Sequence, residues 1–147
     1  MQIRGRWHPF DDDVLRPVLD VHIQTPDGNW ESVIFLLDSG ADRTVIDASY
    51  SSLLAPLAVP DEQAPQLGGV GGPVDCLFIQ TRLRFIKDDG KSIIVNGTFA
   101  VFTNLASSDV SILDRDVTSN FDVIYSYPQR EVLLLAAPHT YTVQLPF

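Results

Sequence analysis

The sequence predicts a single, mostly β domain with a barrel-like architecture and two short helices, and three observations carry that prediction. Roughly nine short stretches of the 147 residues either alternate apolar and polar side chains or run apolar without a break, the patterns of half-buried and fully buried strands. Clusters of Pro, Gly, Asn and Asp punctuate them, as turn chemistry requires. Only two segments, each a few residues long, carry helix signals; these are too few to flank a parallel sheet, so the strands have to bury their apolar faces against one another.

Residues 1–13 hold Ile3, Trp7 and Phe10 without a period, then the acidic triplet Asp11, Asp12 and Asp13, and no element is assigned to them. From 18 to 24, Leu19, Val21 and Ile23 alternate with Asp20, His22 and Gln24, a half-buried strand. Thr25-Pro26-Asp27-Gly28-Asn29 turns the chain, and residues 30–37 return as the second arm of a hairpin whose apolar end, from Val33 to Leu37, is fully buried. Asp47 is placed to cap a short helix over residues 48–54, which has to stop before Pro56. Residues 55–65, with three prolines, form an irregular connection.

Residues 66–86 read as strand, glycine tip and strand, with Leu77, Ile79, Leu83 and Phe85 on one face and Arg82 and Arg84 on the other. After the turn Asp88-Asp89-Gly90-Lys91, residues 92–103 form a strand rich in Ile, Val and Phe, interrupted or bulged at Gly97. A polar loop over 104–109 leads to a short apolar strand at 110–113, and Asp116 is placed to cap a short helix through Phe121. Residues 123–127 and 131–135 form a hairpin around Pro128-Gln129-Arg130. Alternation at Tyr141, Val143 and Leu145 adds a last strand in the tail, a candidate for an interface.

Composition narrows the function. With 45% hydrophobic and 20% charged residues, and no apolar run of membrane-spanning length, the chain reads as a soluble globular domain. A net charge of −9 and scattered Lys and Arg argue against a nucleic-acid partner. The first 13 residues lack the apolar segment and cleavage site of a secretory signal, which makes a cytoplasmic location the expectation. Cys76 is the single cysteine, so no intrachain disulfide forms and paired-cysteine zinc sites are excluded; a buried, inert thiol is expected. Without a secretory signal the sequon Asn96-Gly97-Thr98 reads as chance. His8, His22 and His139 are scattered and are expected at the surface or an interface.

Chemistry concentrates where the buried strand ends. Leu37 runs into Asp38, Ser39 and Gly40: a carboxylate, a hydroxyl and a residue free to adopt unusual backbone angles, the setting in which acids and bases are placed. Taken alone, Asp-Ser-Gly fits an ordinary Asx turn as well. Ser39 has no placed histidine to activate it, so it does not read as a nucleophile. The run Leu67, Gly68, Gly69, Val70, Gly71, Gly72 fits a loose loop or a hairpin tip. No Lys-Ser/Thr follows it and Pro73 stands where a helix would begin, so the phosphate-loop pattern is absent.

In full, Leu36, Leu37, Asp38, Ser39, Gly40 and Ala41 resemble the active-site loop of the retropepsins, the retroviral-type aspartic proteases: a hydrophobic pair followed by Asp-Thr/Ser-Gly-Ala. Two more blocks match in the family's order. LGGVGG, from Leu67 to Gly72, looks like the flap tip, and SILDRDV, from Ser111 to Val117, looks like the family's Ile-Leu-Gly-Arg-Asp/Asn segment. Arg16-Pro17 also sits where the family often has Arg-Pro, and the resemblance covers about residues 16–135.

The resemblance implies a retropepsin-like closed β-barrel, the acid protease fold, over residues 16–137, with an N-terminal extension at 1–15 and a tail at 138–147 reaching the dimer interface. It implies peptide hydrolysis by two aspartates that share a proton and activate a water. The chain holds one Asp-Ser-Gly, so the pair requires a homodimer that brings Asp38 to Asp38, with activity highest at acidic to mildly acidic pH. By the same resemblance Asp38, Ser39 and Gly40 form the catalytic loop, the Ser39 hydroxyl steadying it across the dimer, and Gly68, Gly69, Val70, Gly71 and Gly72 form a flap over an extended peptide. Val45, Leu67, Val110 and Ile112 would line apolar subsites. Asp42 and Arg115 would pair beneath the site and be joined by Arg16 of the partner chain. No metal or organic cofactor is implied.

Two residues depart from the pattern. Asp114 stands where the family has glycine, adding a charged side chain near the floor of the site, and Arg43 replaces a residue that is often acidic, which turns a polar subsite toward acidic side chains. The long turn at 25–29 and the helix after Ile46 look more like cellular than viral members. The alternative within the family is a catalytically silent, dimeric peptide-binding or scaffolding module in which Asp114 spoils the site. Outside it, an unrelated β-barrel ligand binder would be favoured by a strictly monomeric chain.

Overall fold

The computed structural model describes residues 2–40, 42–60, 76–105 and 110–137. Among these the chain forms ten strands. They are β1 (Gln2–Arg4), β2 (Arg6–Pro9), β3 (Leu15–Gln24), β4 (Trp30–Leu37), β5 (Val45–Ile46), β6 (Cys76–Ile86), β7 (Ser92–Phe102), β8 (Ser111–Leu113), β9 (Phe121–Ser126) and β10 (Glu131–Ala136). Two short helices, α1 (Ser51–Leu54) and α2 (Arg115–Thr118), complete the mostly β fold. No helix among the described residues is long and apolar enough to cross a membrane.

The larger sheet runs β2-β3-β4-β8-β5-β7-β6, and a further pairing of His22 with Arg84 and Ile23 with Leu83 joins β3 back to β6, closing six strands into a ring. A smaller sheet, β1-β10-β9, packs beside it. The alternation read from the sequence points Leu19, Val21 and Ile23 of β3 into the ring. β4, expected to be fully buried from Val33 to Leu37, alternates as well, with Val33, Phe35 and Leu37 inward, Leu36 half-buried and Ile34 exposed on the outer face, and Leu83 and Phe85 of β6 meet the inward set fully buried. Each such side chain contributes about 1.5–3 kcal/mol by leaving water.

The first strands escaped the sequence reading because each has only three or four residues and its partners lie far away: β1 pairs with β10 and β2 with β3. Gly5 lets the chain pass from one sheet to the other. Its N–H donates to the Val132 carbonyl at 2.8 Å, and a Cβ there would stand 2.5 Å from the Val18 carbonyl oxygen.

Three local expectations are corrected. Gly97 is neither a break nor a bulge: β7 runs unbroken beside β6 with Gly97 opposite Thr81, and the missing side chain makes room for the Phe99 ring, which a Cβ would meet at 2.7 Å. The helix after Asp47 does stop before Pro56, α1 ending at Leu54, and a separate 3₁₀ turn (Ala55–Leu57) then takes Pro56 in its first turn, where no N–H is needed. Asp47 occupies the first cap position, but its carboxylate accepts from the Ser49 hydroxyl rather than from the helix backbone. Cys76 opens β6 and is half-buried rather than buried. The tail strand predicted around Tyr141 to Leu145 lies outside the described residues.

Candidate active site

β4 and β8 run parallel, Leu36 opposite Ile112 and Leu37 opposite Leu113, within a sheet whose other pairings are mostly antiparallel. Each strand ends in a buried leucine followed by an aspartate, so the register sets Asp38 and Asp114 side by side. The Asp38 N–H donates to the Leu113 carbonyl at 3.1 Å, which fixes the start of the loop. One carboxylate oxygen of Asp38, Oδ1, accepts the Gly40 N–H at 2.7 Å. A Cβ on Gly40 would stand 3.1 Å from that oxygen, tighter than ordinary contact, so a bare glycine suits the turn. Asp38 is half-buried, and Ser39 and Gly40 are exposed.

Asp114 is fully buried, and it is this residue, not Asp116, that caps α2: its Oδ1 accepts the Arg115 N–H at 2.9 Å. Its backbone, at φ −121° and ψ −171°, is extended, a conformation any residue adopts, so the position makes no demand for glycine. Asp116 instead turns to Thr44, taking its N–H at 2.9 Å and its hydroxyl at 2.6 Å. The Thr44 Oγ1 accepts the Asp114 N–H at 3.0 Å in return. Thr44, fully buried, thus ties the segment after Asp38 to the segment after β8. The sequence offered no signal for it beyond a lone hydroxyl before an apolar pair.

The remaining candidates fall into three groups. Val45 and Ile112 are partners in the β5–β8 pairing, and Val110 lines a groove of about 480 Å³ with Leu36, Arg16, Phe10, Asp11 and Asp12. Asp42 and Arg115 form an exposed, hydrogen-bonded ion pair, and Arg43 beside them is half-buried. Leu67, Gly68, Gly69, Val70, Gly71 and Gly72, read as the flap, lie outside the described residues, as does Ala41.

Arg16 is held within its own chain. Its two terminal nitrogens donate to Asp12 at 3.0 and 2.6 Å, and its guanidinium lies 5.2 Å from the centre of the Phe10 ring. Those hydrogen bonds, with the Val14 N–H, bring the Asp12 carboxyl down to about 2. Phe10 and the acidic turn, which the sequence left unassigned, therefore border the same groove as Leu36. Tyr125 on β9 also went unread; burial, then the charges of Asp38 and Asp114, hold its phenol above the ordinary value. Among the described residues no group of three or more His, Cys, Asp or Glu side chains comes together as a metal site.

The family model described as retroviral aspartyl protease matches residues 14–124. A search of curated proteins returned no match. Among solved structures the chain is similar to a retropepsin-like aspartic protease from Rickettsia conorii, with a TM-score of 0.56 and 13% identity over 91% of this chain and 90% of that one, a likeness of fold. It is also similar to the EIAV protease complexed with the inhibitor HBY-793, at 28% identity over 71% of this chain and 86% of that one, with a TM-score of 0.43.

Proposed function

The chain belongs to the retroviral aspartyl protease family, and we propose that it is an aspartic endopeptidase acting as a homodimer, with Asp38 of each chain as the catalytic pair. The observation that carries this reading is the Asp38 loop. A half-buried carboxylate stands at the end of a strand whose inward residues Val33, Phe35 and Leu37 are buried, pinned through its backbone to Leu113 and through one oxygen to Gly40. In a symmetric dimer two such carboxylates hold one proton between them: one takes a proton from a bound water as it attacks the peptide carbonyl, and the other gives its proton to the carbonyl oxygen. Activity then peaks at acidic to mildly acidic pH.

In this reading residues 16–137 form the catalytic domain, preceded by an extension at 1–15 and followed by a tail at 138–147, and the protein works in the cytoplasm. Leu67 to Gly72 close over an extended peptide, Ser39 steadies the loop, and Val45, Leu67, Val110 and Ile112 receive apolar side chains beside the cut bond. Asp42 and Arg115 support the loop from below, and dimerisation brings the partner's Arg16 to them. The use of the Asp114 carboxylate as a helix cap weighs against the silent-module alternative, since the side chain has a structural task of its own.

Cleavage of a diverse peptide mixture from mildly acidic to neutral pH, read by mass spectrometry beside Asp38→Asn, tests the proposal. Cutting by the parent protein alone supports it. Two folded dimers that both leave the mixture intact would turn the reading to a peptide-binding module.

A further inference from the structure

At the far end of β4 from Asp38, roughly 25 Å away along an eight-residue strand, the outer face of the ring carries a second constellation. Arg82 and Arg84 project side by side from β6 and stack on Trp30, 5.7 and 4.4 Å from the centre of its ring. Each guanidinium is aimed by a polar side chain on β3: Gln24 Oε1 takes the Arg82 Nε–H at 2.8 Å, and His22 Nδ1 faces the Nε and a terminal nitrogen of Arg84 at 3.2 and 3.0 Å. Among the described residues neither arginine meets a carboxylate, although the chain carries 19 acidic residues. Asp20, on the same face of β3, is taken by Arg6. Beside Arg82 lies a groove of about 360 Å³ that also holds the amides of Gln24, Gln80 and Asn96. The shared face of Arg82 and Arg84 was legible in the sequence, as was the β3–β4 hairpin that carries Trp30, but the β3–β6 pairing that brings them together was not.

We propose that this face binds an extended, acidic segment of a partner protein, with its carboxylates on Arg82 and Arg84. Positions i and i+2 of a strand are about 6.7 Å apart, the spacing of alternate side chains in any extended peptide, so two pre-aimed guanidinium forks match carboxylates on every second residue. Nucleic acid fits less well. The Arg84 guanidinium already stacks 4.4 Å from the centre of the Trp30 ring, the aromatic surface on which a base would have to stack. Binding here needs no cleavage, so it stands or falls apart from the role of Asp38; in a working protease the face would hold an acidic stretch of the substrate away from the cut.

The test uses the full chain carrying Asp38→Asn and a fluorescein-labelled peptide of alternating Glu and Ser. Anisotropy should show saturable, salt-sensitive binding, and the Trp30 indole N–H resonance should shift on titration without any substitution in the face. Arg82→Gln and Arg84→Gln should each weaken binding about tenfold, the scale of one charge-assisted hydrogen-bonded contact, and Arg→Lys at both should fall between. An unmoved Trp30 resonance, equal binding of an alternating Gln and Ser peptide, or equal binding of single-stranded oligothymidine would overturn the proposal.

Discussion

Asp38 and Asp114 make a controlled comparison within one molecule. Both follow a buried leucine at the end of a strand, the two strands pair in parallel, and each carboxylate accepts a backbone N–H through its Oδ1. Yet one is half-buried and the other is sealed from solvent. The difference lies in the next few residues of each segment. After Asp38 the chain turns outward through exposed Ser39 and Gly40, whereas after Asp114 it winds at once into α2, and the side chain closes the helix start. Residue type alone therefore does not say which of two neighbouring carboxylates is open to a ligand; the direction the backbone takes beyond it does.

The largest effect that would sharpen the contrast is expected at the open member. Asp38→Asn should lower peptide cleavage by about a thousandfold, in the range that general acid–base catalysis supplies, while leaving the thermal unfolding midpoint nearly unchanged. Thr44→Val should do the reverse. It keeps the shape but strips a buried hydroxyl from Asp116 and from the Asp114 N–H, and urea unfolding should register a loss of about 1–3 kcal/mol.

At the sealed member, Asp114→Ala should cost about 0.5–2 kcal/mol as a lost helix cap, and Asp114→Gly only a few tenths, since glycine is tolerated at that position. Cleavage by the glycine variant should change little; a marked gain would mean that the Asp114 carboxylate does burden the site, and the contrast with Asp38 would fail. The smallest effect concerns Asp12. Its carboxyl lies at about 2 against an ordinary 3.8 because Arg16 and the Val14 N–H favour the charged form. The clamp on Arg16 is then complete above 3.8 and is lost only as pH falls through about 2. It should persist through a mildly acidic assay. A carboxyl titration by NMR should find a midpoint near 2, and Arg16→Gln should return it toward the ordinary value.

The open aspartate was legible because its signals are local: an apolar run, then a polar turn, within eight residues from Val33 to Gly40. The sealed one was not. Asp114 and Asp116 both look like helix caps from their neighbours, and what separates them is Thr44, whose contact with Asp116 spans 72 positions of sequence. The same limit hid Phe10, which reaches its groove through the β2–β3 hairpin, and β1, whose register is set by β10 near the other end of the described chain. At Gly97 a local rule misled, because the glycine answers to the ring of Phe99 and not to the course of the strand. The ring of strands itself was within reach of the alternation pattern, but its closure through His22 and Arg84 was not.

The anchoring of Asp38 on Leu113 has a consequence in time. A ribosome releases the aspartate well before it releases the strand that holds it, and the Thr44–Asp116 tie waits on the same late segment. While it is being made, the growing polypeptide holds its carboxylate only through the local Gly40 N–H, and the arrival of β8 and α2 completes the geometry. A chain cut short before that point has no assembled loop, so the geometry around Asp38 is completed only late in synthesis.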